Sequence, residues 1–222
     1  MTTFATPAPI SAVLTIPAGR VELVATDRTD TVVDVQPTDP AKGRDVKAAR
    51  QTTVDYADGV LRIQTEAARN QYFGPTGSVQ VTVHLPAGSR VEASTAAAEL
   101  STNGRLGEVV FDGAYRQIHV EQAASLRLTA VDGDVQVGRL DGPAQISTAR
   151  GDITVAEAAS GTVVLRTQAG GITVGAAAGV SASLDAGTSY GRISNALRNT
   201  DGAAELDIHA TTSYGDIAAH SL

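Results

Sequence analysis

Two rhythms overlap along the second half of the chain, an alternation of apolar and polar residues and a longer repeat close to 18 residues. A triplet of small, polar and apolar residues recurs seven times, at Ala98-Glu99-Leu100, Arg116-Gln117-Ile118, Gly133-Asp134-Val135, Gly151-Asp152-Ile153, Gly170-Gly171-Ile172, Gly191-Arg192-Ile193 and Gly215-Asp216-Ile217. The copies lie 18, 17, 18, 19, 21 and 24 residues apart. With the first residue of each triplet as position zero, position +2 is Leu100, Ile118, Val135, Ile153, Ile172, Ile193 and Ile217, and position −5 is Ala93, Phe111, Leu128, Ile146, Leu165, Ala186 and Ala210. Both columns are apolar in every copy.

Within a copy the pattern has a period of two, with Ile153 and Val155 flanking Thr154 and Ile172 and Val174 flanking Thr173, so each copy reads as two short strands joined near its glycine. Two strands cannot bury their apolar face alone. Coiling successive copies stacks each Ile or Val on its counterpart at a strand spacing of about 4.8 Å, and each such burial contributes roughly 1.5–3 kcal/mol. The expected fold is therefore all-β, a β-helix-like β-solenoid of about seven short rungs over residues 91–222. Asn199-Thr200-Asp201-Gly202 reads as a loop growing from one corner of the longer last rungs.

Residues 1–90 are β-rich and irregular, and the expectation is that they belong to the same domain and cap the solenoid. Strands are expected at Val13 to Ile16, Arg20 to Ala25, Thr31 to Gln36, Thr52 to Tyr56, Val60 to Thr65 and Ser78 to Leu85. Asp58-Gly59 marks a hairpin, and a helical turn is expected around Asp45 to Arg50. The long loop Glu66 to Gly77 carries Tyr72 and Phe73, read either as a cap tucked under the solenoid end or as a contact surface.

Composition narrows the function classes. Against 17 Lys plus Arg stand 24 Asp plus Glu, a net charge of −7, with no Cys and no Trp. A disulfide framework and a cysteine zinc site are excluded, and a thinly basic, acidic chain is a poor match for nucleic acid. No run of about 18 apolar residues is present and the N-terminus lacks a basic and apolar leader pattern, so the reading is cytoplasmic, without membrane insertion. No P-loop, HExxH or Ser/His/Asp spacing stands out among His84, His119, His209 and His220.

Three groups of residues remain as candidate sites. Asp134 and Asp152 follow their glycines in neighbouring copies and would stack about 5 Å apart, repelling by about 0.8 kcal/mol in water; Asp132 and Asp141 are the next members of such a polar turn cluster. Solvated turn carboxylates are the plain reading, with a metal or a catalytic pair as the sharper ones, although the calcium nonapeptide pattern is absent. Tyr115, Tyr190 and Tyr214 share the position before zero, giving an aromatic stack that packs the end or a flat platform for a sugar or another ring. Tyr72 and Phe73 form the third group. Arg150-Gly151-Asp152 spells the cell-adhesion tripeptide but falls in the repeat frame, as a turn. No metal and no cofactor are expected.

The chain resembles the bacterial DUF4097 family, also labelled adhesins, in its actinobacterial form. The resemblance lies in Phe4 to Ile10, Ile16-Pro17-Ala18-Gly19, Tyr56 to Leu61, Val81 to Ser89, the Gly-Asp-Ile/Val repeats, and the pair Thr188 to Ile193 and Thr212 to Ile217. It implies a β-strand-repeat fold and transfers no catalytic residue. The leading expectation is a non-catalytic binding or assembly module, with a homodimer or protein partner at a solenoid end, because the chain stops three residues after its last strand. An enzyme acting on a glycan or small molecule at a solenoid face is the alternative, and a surface adhesin the third.

Overall fold

A computed structural model describes residues 1–65, 77–113, 117–199 and 203–222. Strand accounts for 70% of the chain and helix for 4%, and the chain divides into two compact units, Met1–Tyr115 and Arg116–Leu222.

The first unit holds β1 (Thr2–Ala5), β2 (Ser11–Thr26), β3 (Asp30–Pro37), α1 (Gly43–Gln51), β4 (Thr52–Ala57), β5 (Val60–Thr65), β6 (Val79–Pro86) and β7 (Arg90–Asp112). The hairpin forms as the sequence predicts: Asp58 and Gly59 both take positive φ, 51° and 77°, and Ala57 faces Val60 across β4 and β5. The two strands expected on either side of Pro17 are one. Ser11–Thr15 lies parallel to β5, Gly19–Thr26 lies parallel to β6, and β7 runs beside both halves. The strand passes the corner because Gly19 reaches φ 137°, where a Cβ would sit 1.8 Å from the Val79 carbonyl oxygen.

In-register stacking thus begins before the repeat. Leu14 pairs with Ile63 and Ala93, and Val21 with Val81 and Leu100, all buried. Leu100, the first +2 residue, belongs to this unit's column. The expected helical turn is α1, anchored by buried Asp45, whose Oδ1 accepts the Ser78 amide at 3.0 Å just before β6.

The second unit is a two-faced β-solenoid. It contains β8 (Ile118–Thr129), β9 (Val135–Leu140), β10 (Ala144–Arg150), β11 (Ile153–Ala158), β12 (Gly161–Ala169), β13 (Ile172–Ala176), β14 (Ala182–Tyr190), β15 (Ile193–Ala196), β16 (Leu206–Tyr214) and β17 (Ile217–Ser221). All pairings between these strands are parallel and in register apart from one irregularity between Val155 and Ala158. The start of β8 pairs with β9 and its end with β10, so this one strand serves both faces.

The rungs do not follow chain order. β12 pairs with β16 and β16 with β14; on the other face β13 pairs with β17 and β17 with β15. The +2 column therefore runs Ile118, Val135, Ile153, Ile172, Ile217, Ile193. The −5 column runs Leu128, Ile146, Leu165, Ala210, Ala186. The sequence reading put the last copy at the end; the pairing puts it inside, and the copy before it becomes the edge. Burial agrees: Ile172 and Ile217 are 1% and 0% exposed, whereas Ile193 is 48% exposed. Of the loop expected at Asn199 to Gly202, residues 200–202 lie outside the described residues.

This order predicts opposite outcomes for chemically equal substitutions. Ile217→Ala should lower stability by about 2–5 kcal/mol, as Ile153→Ala should, while Ile193→Ala should cost under about 1 kcal/mol. Urea unfolding of the three variants measures it, and equal losses at Ile217 and Ile193 would contradict the interleaved order.

Candidate functional site

The corner that joins the two faces is where the sequence repeat concentrates its polar groups. In spatial order its triplets are 132–134, 150–152, 169–171, 214–216 and 190–192. Gly133, Gly151, Gly170 and Gly215 adopt positive φ, and each corner crosses closely over the next. A Cβ on Gly151, Gly170 or Gly215 would lie 2.2, 2.0 or 2.0 Å from a carbonyl oxygen of the neighbouring rung. Only glycine satisfies both the dihedral and the approach.

Two sets of side chains complete the corner. Thr167, Thr212 and Thr188 donate their hydroxyls to the carbonyls of Gly151, Gly170 and Gly215 at 3.1, 2.9 and 3.0 Å. The carboxylates that follow the glycines point along the stack and accept the next rung's backbone amide. Asp134 Oδ1 takes the Asp152 N–H at 2.9 Å, Asp152 Oδ1 takes the Gly171 N–H at 2.7 Å, and Asp216 Oδ1 takes the Arg192 N–H at 2.8 Å. These are charge-assisted bonds, each worth about 1.5–3 kcal/mol, which outweighs the mutual repulsion of the stacked carboxylates.

The ladder is interrupted at Gly171. Gly171 has no side chain, so the Asp216 N–H, which by the repeat faces Gly171, has no acceptor among the described residues. Ala169, Gly170 and Gly171 together leave one rung of the corner bare. The doubled glycine was visible in the triplet alignment, but its consequence depends on knowing that Asp216 stacks there.

The remaining candidates separate. Asp132 joins the corner through Arg150, whose Nη2 lies 2.8 Å from its Oδ2. Asp141 is not brought to this corner: it follows the far end of β9, roughly 20 Å along a six-residue strand. There it accepts Arg139 Nε at 2.7 Å and Gln122 Nε2 at 2.8 Å. The hydrogen bond that Arg139 donates to Asp141 and the nearby Glu157 carboxylate raise the Arg139 pKa above its ordinary value. No group of three or more His, Cys, Asp or Glu suited to hold a metal occurs among the described residues.

Tyr190 and Tyr214 do come together, with ring centroids 5.0 Å apart and planes 3° from parallel, at 68% and 60% exposure. They continue the row Asp132, Arg150, Ala169, Tyr214, Tyr190 across the rungs. Tyr115, Tyr72 and Phe73 lie outside the described residues.

The family model described as Toastrack DUF4097 matches residues 13–221. The chain belongs to this family. No curated protein matches it. The solved structures similar to this Toastrack chain include a "putative cell adhesion protein" from Clostridium sporogenes, at 9% identity and TM-score 0.43 over 100% of this chain and 98% of that one. A "putative adhesin" from Bacteroides fragilis has 10% identity and TM-score 0.45, covering 98% and 95% of the two chains. A "putative lipid binding protein" from Parabacteroides distasonis has 10% identity and TM-score 0.39 over 98% and 95%. No helix of the Toastrack chain's described residues is long and apolar enough to cross a membrane.

Within the Toastrack corner the gap and the ladder predict effects of opposite sign. Gly171 does not need positive φ, and a Cβ there would make ordinary contacts with the Asp216 carbonyl oxygen at 3.4 Å and Asp152 Oδ1 at 3.7 Å, so Gly171→Asn should supply the missing acceptor and raise stability by about 0.5–1.5 kcal/mol. Asp152→Ala should lower it by about 1–3 kcal/mol, and Gly151→Ala by about 3 kcal/mol or more. Thermal unfolding of the three variants reads both signs.

Proposed function

We propose that this Toastrack chain is a non-catalytic binding or assembly module whose contact surface for a protein partner or a second copy is the outermost rung, β14 with β15. The observation that carries this reading is the one-sided pairing of that rung. Among the described residues the ladder pairings of β14 and β15 are to β16 and β17 alone, and at the start of β14 the Ala182 N–H reaches the Arg198 carbonyl at 3.2 Å. Beyond that contact the rung's other side has no ladder partner among the described residues and presents part of the core column, including half-exposed Ile193. An unpaired edge is a template for another chain, and native proteins cover or charge such edges.

The polar groups support the non-catalytic part. Asp134 and Asp152 cap backbone amides, and Asp132 and Asp141 are held by Arg150 and Arg139. A carboxylate fixed as an acceptor for structure is poorly placed to shuttle protons. A cytoplasmic setting is part of the proposal, and finding the native protein outside intact cells would overturn that part.

Sedimentation velocity at tens of micromolar tests the contact. Wild-type protein should sediment as a dimer or larger, and Ile193→Lys should return it to monomer with little change in Tm, because a side chain already half exposed contributes little to the core. A monomeric wild type that also recovers no protein through this rung in cross-linking would end the assembly reading.

A further inference from the structure

Following the row of residues just before the corner glycines, the side chains change abruptly at one rung. Arg150 carries a guanidinium, Ala169 almost nothing, and Tyr214 a ring whose one face is covered by Tyr190. Because the two rings are parallel and one strand spacing apart, the uncovered face of Tyr214 looks along the stack over Ala169. The next large side chain in that direction is Arg150, two strand spacings or about 9.6 Å away. Arg150 is tied to Asp132 on its far side, which keeps it from folding over the gap.

The row after the glycines has the same gap in register. Asp152 and Asp216 flank Gly171, and the Asp216 N–H is open toward it. Each carboxylate uses Oδ1 for a backbone amide, and its Oδ2 has no protein partner among the described residues. The bare rung is therefore a slot one ring thick. It has an aromatic wall, a guanidinium opposite, one backbone donor in its floor and, at one side, the Asp152 carboxylate that reaches toward Gly171; the Asp216 carboxylate points the other way, to Arg192.

We propose that the bare corner at Ala169–Gly171 binds a single pyranose ring stacked on Tyr214. A pyranose is the ligand class that satisfies every wall at once. Its C–H face packs on an aromatic ring, its hydroxyls donate to Asp152, and they accept from the Asp216 N–H and Arg150. An anionic ligand would meet the Asp152 carboxylate, and a bare aromatic ring would leave the polar groups without partners. The slot rests on the reading of the chain as a binding module, but it is separate from the β14–β15 edge.

Amide NMR titration with the methyl glycosides of glucose, galactose, mannose and N-acetylglucosamine, to tens of millimolar, tests the slot. At least one should shift the Gly170, Gly171 and Asp216 amides saturably, with a millimolar dissociation constant, as suits one ring on an open surface. Tyr214→Ala should weaken that glycoside at least tenfold. Gly171→Asn should do the same while keeping or raising Tm, since its side chain occupies the slot and takes the Asp216 N–H, so the loss is not one of folding. Tighter binding of the methyl glycoside than of the reducing sugar identifies a glycan terminus, and the reverse a free monosaccharide. Silence of those three amides toward all four glycosides, or shifts that persist unchanged in Gly171→Asn, overturns the proposal. Ile193→Lys leaves the slot untouched, so failure of the assembly reading and failure of this one are told apart.

Discussion

Four corners of the second unit each cross the corner of a neighbouring rung at a distance that excludes a β-carbon. A Cβ at Gly151, Gly170, Gly191 or Gly215 would stand 1.9–2.2 Å from a carbonyl oxygen. The glycines let successive turns nest, and nested turns fix the register of the strands on both sides. That register then lines up Ile118 through Ile193 on one face and Leu128 through Ala186 on the other. The hydrophobic columns supply the larger part of the stabilisation, but they are aligned only because the turns fit.

A stack in register places like on like, which for charges is a cost. The corner resolves it by giving each carboxylate a backbone amide of the following rung to accept, that of Asp152 for Asp134 and that of Gly171 for Asp152. At the end of β9 the same problem has a different solution, with Gln122, Arg139 and Glu157 in adjacent rungs around Asp141. Part of the chain's acidic excess is thus structural, with side chains doing for turns what a cap does for a helix end.

The fold class and both columns were legible because a parallel stack repeats its demands at each rung, and seven triplets display them. Rung order was not legible in the triplets. Ile193 and Ile217 are identical at +2, and nothing local says which of two equal strands lies on Ile172. The readable sign was weaker and sat elsewhere: position +4 is Val120, Val137, Val155, Val174 and Ala219, but Asn195 in β15. A polar residue where the others are apolar marks a strand with no neighbour beyond it. The carboxylates were recognised as a row, yet their role depended on amide directions that residue types alone do not carry. Asp141, close in sequence to Asp134, is carried away by a single extended strand.

Interleaving makes the last three rungs a matter of timing. During synthesis β14 and β15 leave the ribosome before β16 and β17, and at that moment the edge of β12 and β13 is an open template in a compatible frame. Thr188 repeats Thr212 and Ile193 repeats Ile217, so the earlier pair satisfies the same positions on Thr167 and Ile172. The native arrangement then requires that edge to be held vacant or given up when the later pair arrives. A coil wound in chain order has no such step; here the nascent chain meets a near-native competitor one rung short of the finished stack.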